Sequence, residues 1–170
     1  MTGTPAGLAP SSISSTQDVI ATLEAAYGPP SAAAFGSAVF HAPLDPATDL
    51  EQAALAHYRA FVGPLWDRFG AEAWSSAWRE VYRRPKGQTA GIVTELQEIT
   101  DPQAASAIDL LLNGREDADT AQRALKAAYD DPALVDLRIF TIGDAAALSG
   151  VLVAGCRQDA TETSLVFLMD

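Results

Sequence analysis

Between Thr16 and Tyr129 the hydrophobic positions recur at intervals of three and four, and beyond Asp136 they crowd into short unbroken runs. The spacing predicts a helix from Ser15 or Thr16 to Tyr27. Val19, Ile20 and Leu23 share one face of it, Asp18 sits near its positive end, and Gly28, Pro29 and Pro30 stop it. A second helix is expected after Asp45, where Pro46 suits a first turn and Leu50, Ala54, His57, Phe61 and Leu65 align. Gly63-Pro64 falls inside that pattern and should kink or restart it, because proline removes a backbone donor and clashes with the preceding turn. After a further break at Gly70, AEAWSSAWREVYRR reads as one more helix that ends before Pro85 and Gly87. Three helical segments are expected over Thr89 to Ile99, Pro102 to Leu112 and Glu116 to Tyr129. The middle one has Asp101 as cap, Pro102 in its first turn and Asn113-Gly114 as its stop. Ala32 to Pro43 carries both a short strand pattern and a helical one, and is expected to be weakly ordered.

From Asp136 the chain reads as three strands, DLRIFTI, VLVAGC and TSLVFLM, rich in Val, Ile, Leu and Phe. RQDATE resembles a hairpin loop, and AAAL between Gly143-Asp144 and Ser149-Gly150 suggests a one-turn connection with Asp144 as its cap. Helices followed by strands predict an α+β fold, a helix-rich N-terminal two-thirds packed on a small C-terminal antiparallel sheet. Apolar residues occupy both alternating positions of these strands, so both sheet faces need cover, one by helices and the other by more chain or by a second subunit. A three-stranded sheet would leave edges and part of a face open, which makes a homodimer or a dedicated protein partner the expected remedy.

A chain of 170 residues fits one domain. Residues 1–15 mix Gly, Pro, Ser and Thr with isolated apolar side chains and are expected to form a flexible tail, leaving 16–170 as a single α+β domain. Eleven Lys and Arg against 22 Asp and Glu give a formal charge of −11, which repels phosphate backbones and anionic bilayers. Nucleic-acid and membrane partners are thereby disfavoured. Met1 to Ser15 lacks the basic start and apolar run of a secretory signal, and one cysteine, Cys156, permits no internal disulfide, so the expected location is cytoplasmic. Abundant alanine and scarce lysine give the composition a bacterial cast.

The most distinctive segment is WSSAWREVYRR. Read as a helix, it aligns Trp74, Trp78 and Tyr82 on one face and Arg79 and Arg83 on a second stripe, with Arg84 and Lys86 close by. Rings beside guanidinium groups make a recognition surface for an acidic partner or an anionic ligand; on the plainer reading the rings face the core and the arginines meet this chain's own carboxylates. His41 and His57 are the only histidines. A metal cluster of His41, Asp45, Asp49 and His57 has no constrained ligand spacing behind it, and His57 reads as the border of an apolar helix face. Ser149 lacks the GxSxG elbow, Cys156 sits in an apolar strand, and carboxylate pairs such as Glu95 with Glu98 read as a solvated face. No catalytic, metal or cofactor signature emerges. The expected function is that of a nonenzymatic protein-binding module, an inhibitor, immunity protein or chaperone-like adaptor, whose acidic surface steers it to a basic partner. The alternative is a small-molecule binding domain or small enzyme holding an anion between the sheet and the Trp74 to Arg84 helix.

Overall fold

The computed structural model describes residues 16–86, 91–144 and 147–169. The tail expected over 1–15 lies outside them. Five strands form one sheet: β1 (Gly36–Pro43), β2 (Arg79–Arg83), β3 (Leu134–Gly143), β4 (Ser149–Arg157) and β5 (Thr161–Met169). Their order is β1-β5-β4-β3-β2, and every neighbouring pair is antiparallel. Mixed helix and antiparallel sheet is thus the architecture, but the sheet is not confined to the carboxyl-terminal third. Strand β1 comes from the segment expected to be weakly ordered, and β2 from within the expected aromatic helix.

The unbroken apolar runs of the last three strands follow from burial on both faces. Phe140, Ile142, Leu152, Ala154, Val166 and Leu168 point one way, into a core built with helices α2 (Leu50–Val62), α3 (Leu65–Phe69) and α4 (Ala71–Ser75). Leu137, Ile139, Val151, Val153 and Leu165 point the other way. There they meet α1 (Thr16–Tyr27), α5 (Ile92–Gln97), α6 (Pro102–Asn113) and α7 (Ala118–Tyr129). The chain therefore covers both faces of its own sheet with three layers, and the open face that argued for a second subunit is filled by α2–α4. Strand β4, at the centre, is buried from Gly150 to Gly155. A Cβ at Gly150 would stand 2.1 Å from the Phe167 carbonyl oxygen, so only glycine admits the β5 backbone this closely.

Local chemistry sets the helix ends. Asp49 accepts from the backbone N–H of Glu51 while the Gln52 side chain returns to the Asp49 N–H, a reciprocal cap that starts α2. Helix α2 ends at Gly63, whose φ of 68° a side chain would resist, and the chain restarts at Pro64. Asp101 caps α6 through the Gln103 N–H with Pro102 following, as the sequence predicts. The helix expected over 71–84 instead ends at Ser75, and the chain turns into β2. A spacing of four between Trp74, Trp78 and Tyr82 fits two strand pleats as well as one helical turn, so it does not discriminate. Pairing with Ile139 and Phe140 of β3 decides the outcome.

Candidate functional site

Strand β2 is short and irregular, with a bulge between Glu80 and Tyr82 that shifts its register on β3. Its side chains consequently part company. Arg79 lies opposite Thr141 and Tyr82 opposite Ile139, on the α5–α6 side; Glu80 lies opposite Phe140 and Arg83 opposite Arg138, on the α2 side. Arg79 and Arg83 therefore form no stripe, and Trp78 and Tyr82 share no face.

Each of the six residues singled out in the sequence has an internal partner. Trp74 is buried, and its Nε1–H donates to the Leu65 carbonyl at 3.0 Å. Trp78 stacks between Phe140 (centroids 4.6 Å apart, rings 13° from parallel) and Tyr58 (5.8 Å, 15°), and donates to Glu51 Oε2 at 2.9 Å. These two indoles belong to the α2–α4 core. Arg79 holds the Asp101 carboxylate, which stands below the usual carboxylate range because of that bond. Arg83 pairs with Glu80 at 2.8 Å. Arg84 grips both oxygens of Glu95, at 2.8 and 2.5 Å, and donates to the Tyr129 carbonyl. The Tyr82 hydroxyl donates to the same Glu95 at 2.7 Å; burial and that carboxylate push its ionisation up to about 12. The forks that an anionic ligand would need are already filled by carboxylates of this chain.

What remains open at β2 is an edge. A groove of about 560 Å³ is lined by Arg79, Glu80, Val81 and Tyr82 from the strand and by Glu95, Glu98, Ile99, Thr100 and Asp101 from α5 and the loop leading to α6. With the bulge, Arg79, Val81 and Tyr82 all stand on the α5–α6 side, so the groove lies between edge strand β2 and the α5 wall. Four carboxylates and one guanidinium line it. Three of those carboxylates have arginine partners, whereas exposed Glu98 forms no ion pair with a described cation.

The sequence reading missed Glu95, which it placed with Glu98 on a solvated face. Glu95 is 3% exposed and anchors the inner wall of the groove. The signal lay in its position: three residues after Ile92 and four before Ile99, it falls on the buried stripe of its own helix. A carboxylate there demands a buried cation, and Arg84 supplies it.

The remaining candidates do not assemble a second site. His57 stacks on Phe40 and bonds Glu162 Oε2 at 2.6 Å, whereas His41 bonds the Thr163 hydroxyl at 2.8 Å on the opposite face. Asp49 is engaged by the α2 cap and by Arg138. The cluster of His41, Asp45, Asp49 and His57 is therefore not formed, and among the described residues no group of three His, Cys, Asp or Glu side chains is arranged to hold a metal ion. Burial and the carboxylates of Asp136 and Glu162 push the Cys156 thiol up, away from a reactive thiolate. Ser149 pairs with Met169 and Gly143 in the ladder. Among the described residues no helix is long and apolar enough to cross a membrane.

Comparison with family models, with curated proteins and with solved structures finds no match to this chain.

Proposed function

We propose that the protein is a nonenzymatic protein-binding module that takes a basic partner at the groove beside β2. The observation that carries this reading is the state of the arginines. Arg59, Arg79, Arg83, Arg84, Arg115, Arg138 and Arg157 each face a carboxylate of the same chain, so the excess of acidic groups behind the −11 charge is left to define the outward field. A field of that sign accelerates encounter with a basic surface and opposes acidic ones. The groove provides a landing place where Glu98 stands unneutralised at the rim and Val81 and Ile99 offer apolar contact.

An inhibitor, immunity protein or adaptor of an acidic, bacterial-type cytoplasmic kind is the class this reading assigns. The test is binding of lysine- and arginine-bearing peptides as a function of salt, with Glu98→Lys as the variant. Association that weakens as salt rises, and that Glu98→Lys weakens by about tenfold, supports the reading. Binding that ignores both salt and Glu98, or a set of basic peptides none of which binds at low salt, refutes it.

A further inference from the structure

The two edges of the sheet are not alike. At β1 the Val39 N–H donates to the Gly28 carbonyl at 2.9 Å and the Ser37 hydroxyl to the Tyr27 carbonyl at 2.6 Å, so the end of α1 lies against that edge. At β2 nothing comparable happens among the described residues. Among the described residues, no group outside β3 hydrogen-bonds to the backbone of Arg79–Arg83. The Arg84 N–H donates to the Leu137 carbonyl at 3.0 Å, and backbone groups alternate along a strand. The N–H and C=O of Arg83 therefore point away from β3, toward the outside of the sheet. The groove is lined by the preceding residues of the same edge strand, Arg79 to Tyr82, so a strand backbone with no partner among the described residues adjoins a carboxylate-bearing channel.

We infer that an extended, lysine- or arginine-bearing segment of a partner protein adds to β2 as a sixth strand, an assignment that rests on the groove being the partner site. Main-chain hydrogen bonds to Arg83 supply the register. Alternate side chains of the incoming strand then face the α5 wall, where Glu98 and the outer lone pairs of Asp101 meet a cation and Ile99 meets an apolar neighbour. The charge on the edge also decides against other occupants. A second copy carries the same −11, which opposes self-association at long range, whereas a basic segment is attracted. The chain's own residues 1–15 contain no Lys or Arg and so do not complement the groove. Short length, a bulge and charged side chains are the devices that keep an edge from indiscriminate pairing, and here they leave it open to a segment of the opposite sign.

The test separates strand addition from charge attraction. The probe is a defined library of octapeptides with Lys or Arg at alternate positions and Val, Ile, Tyr or Phe between them, passed over the immobilised protein at low salt; the best-retained peptide is resynthesised and its affinity measured by calorimetry. Arg83→Pro removes the outward N–H while leaving the β3 ladder bonds, and Arg83→Ala removes only the side chain. Strand addition predicts that Arg83→Pro binds more weakly than Arg83→Ala by about two- to tenfold, the worth of one main-chain bond. It also predicts that a backbone N-methylated version of the peptide, of equal charge, fails on the wild-type protein. That second arm does not depend on the proline variant folding. If methylated and unmethylated peptides bind alike, and Arg83→Pro matches Arg83→Ala, the sixth strand is overturned while the acidic binding surface stands. Retention of no peptide at low salt overturns both. Sedimentation of the protein alone completes the test: a monomer agrees with an edge left for a partner, whereas a dimer that Arg83→Pro breaks assigns the edge to a second copy and overturns the inference.

Discussion

Removal of Glu95 tests whether the arginine behind the groove is a structural cation or a free recognition group. Arg84 and Glu95 side chains are 10% and 3% exposed, and the guanidinium fork closes on both carboxylate oxygens. In Glu95→Ala the guanidinium keeps the Tyr129 carbonyl and a distant Asp130 at 3.9 Å, but loses its only close counter-charge, and the Tyr82 hydroxyl loses its acceptor. Breaking a buried pair by deleting one partner costs about 3 to 5 kcal/mol; the nearby Asp130 argues for the lower end, about 3 kcal/mol. With a urea dependence of about 2 kcal/mol per molar, the unfolding midpoint should fall by about 1.5 M. Replacing the pair together, as Arg84→Met with Glu95→Leu, leaves no orphan charge and should recover most of that loss. The assay is equilibrium urea unfolding followed by tryptophan fluorescence, with circular dichroism as a second probe of the same transition. A midpoint for Glu95→Ala within about 0.3 M of wild type, as expected of an exposed ion pair, would refute the claim that Arg84 is committed to the fold.

Other consequences follow from individual contacts. Burial and the neighbouring Arg157 hold His41 below its ordinary 6.5, so its contribution to stability is full above that value and is lost as pH falls through the folded-state value. His41→Gln should therefore flatten the decline in melting temperature on acidification from pH 7 to about 5, and an unchanged decline would show that other groups drive it. Cys156 should react with a disulfide reagent at pH 8 more slowly than free cysteine, and Asp136→Asn should speed it by removing a facing carboxylate; a fast wild-type reaction would contradict the raised thiol. Gly150→Ala drives a methyl into the Phe167 carbonyl and should cost about 3 kcal/mol or more, read as a lower melting temperature, while a neutral substitution would mean that β4 and β5 are further apart than described.

The elements whose partners are near in sequence were legible from it. Asp101-Pro102 and Asn113-Gly114 mark both ends of α6 because caps are local chemistry. The three carboxyl-terminal strands declare themselves through β-branched runs, and their burial on both faces explains why those runs do not alternate. What sequence could not give was pairing across long separations. Strand β1 is made by β5, more than a hundred residues later, and β2 by β3; the short segments that supply them have weak patterns of their own. Trp74, Trp78 and Tyr82 misled because a spacing of four suits a strand pleat and a helical turn alike. Cover for the second sheet face was legible as a need but assigned to a partner, because α2, α3 and α4 gave no sign of which face they would take. At the groove, Arg79 and Tyr82 stood out in the sequence, whereas Glu95 was placed with Glu98 on a solvated face; its position on the buried helical stripe was the signal.

The most direct measurement is a map of backbone amide shifts in the isotope-labelled protein as the best-retained basic peptide is titrated in. The account predicts that shifts concentrate on Arg79–Arg83 and on residues 98–101, that the Arg83 amide gains protection from exchange, and that both effects fade at about 0.5 M salt, where charges are screened within a few ångströms. Shifts spread over α6 and α7, with the β2 amides unmoved, would contradict it.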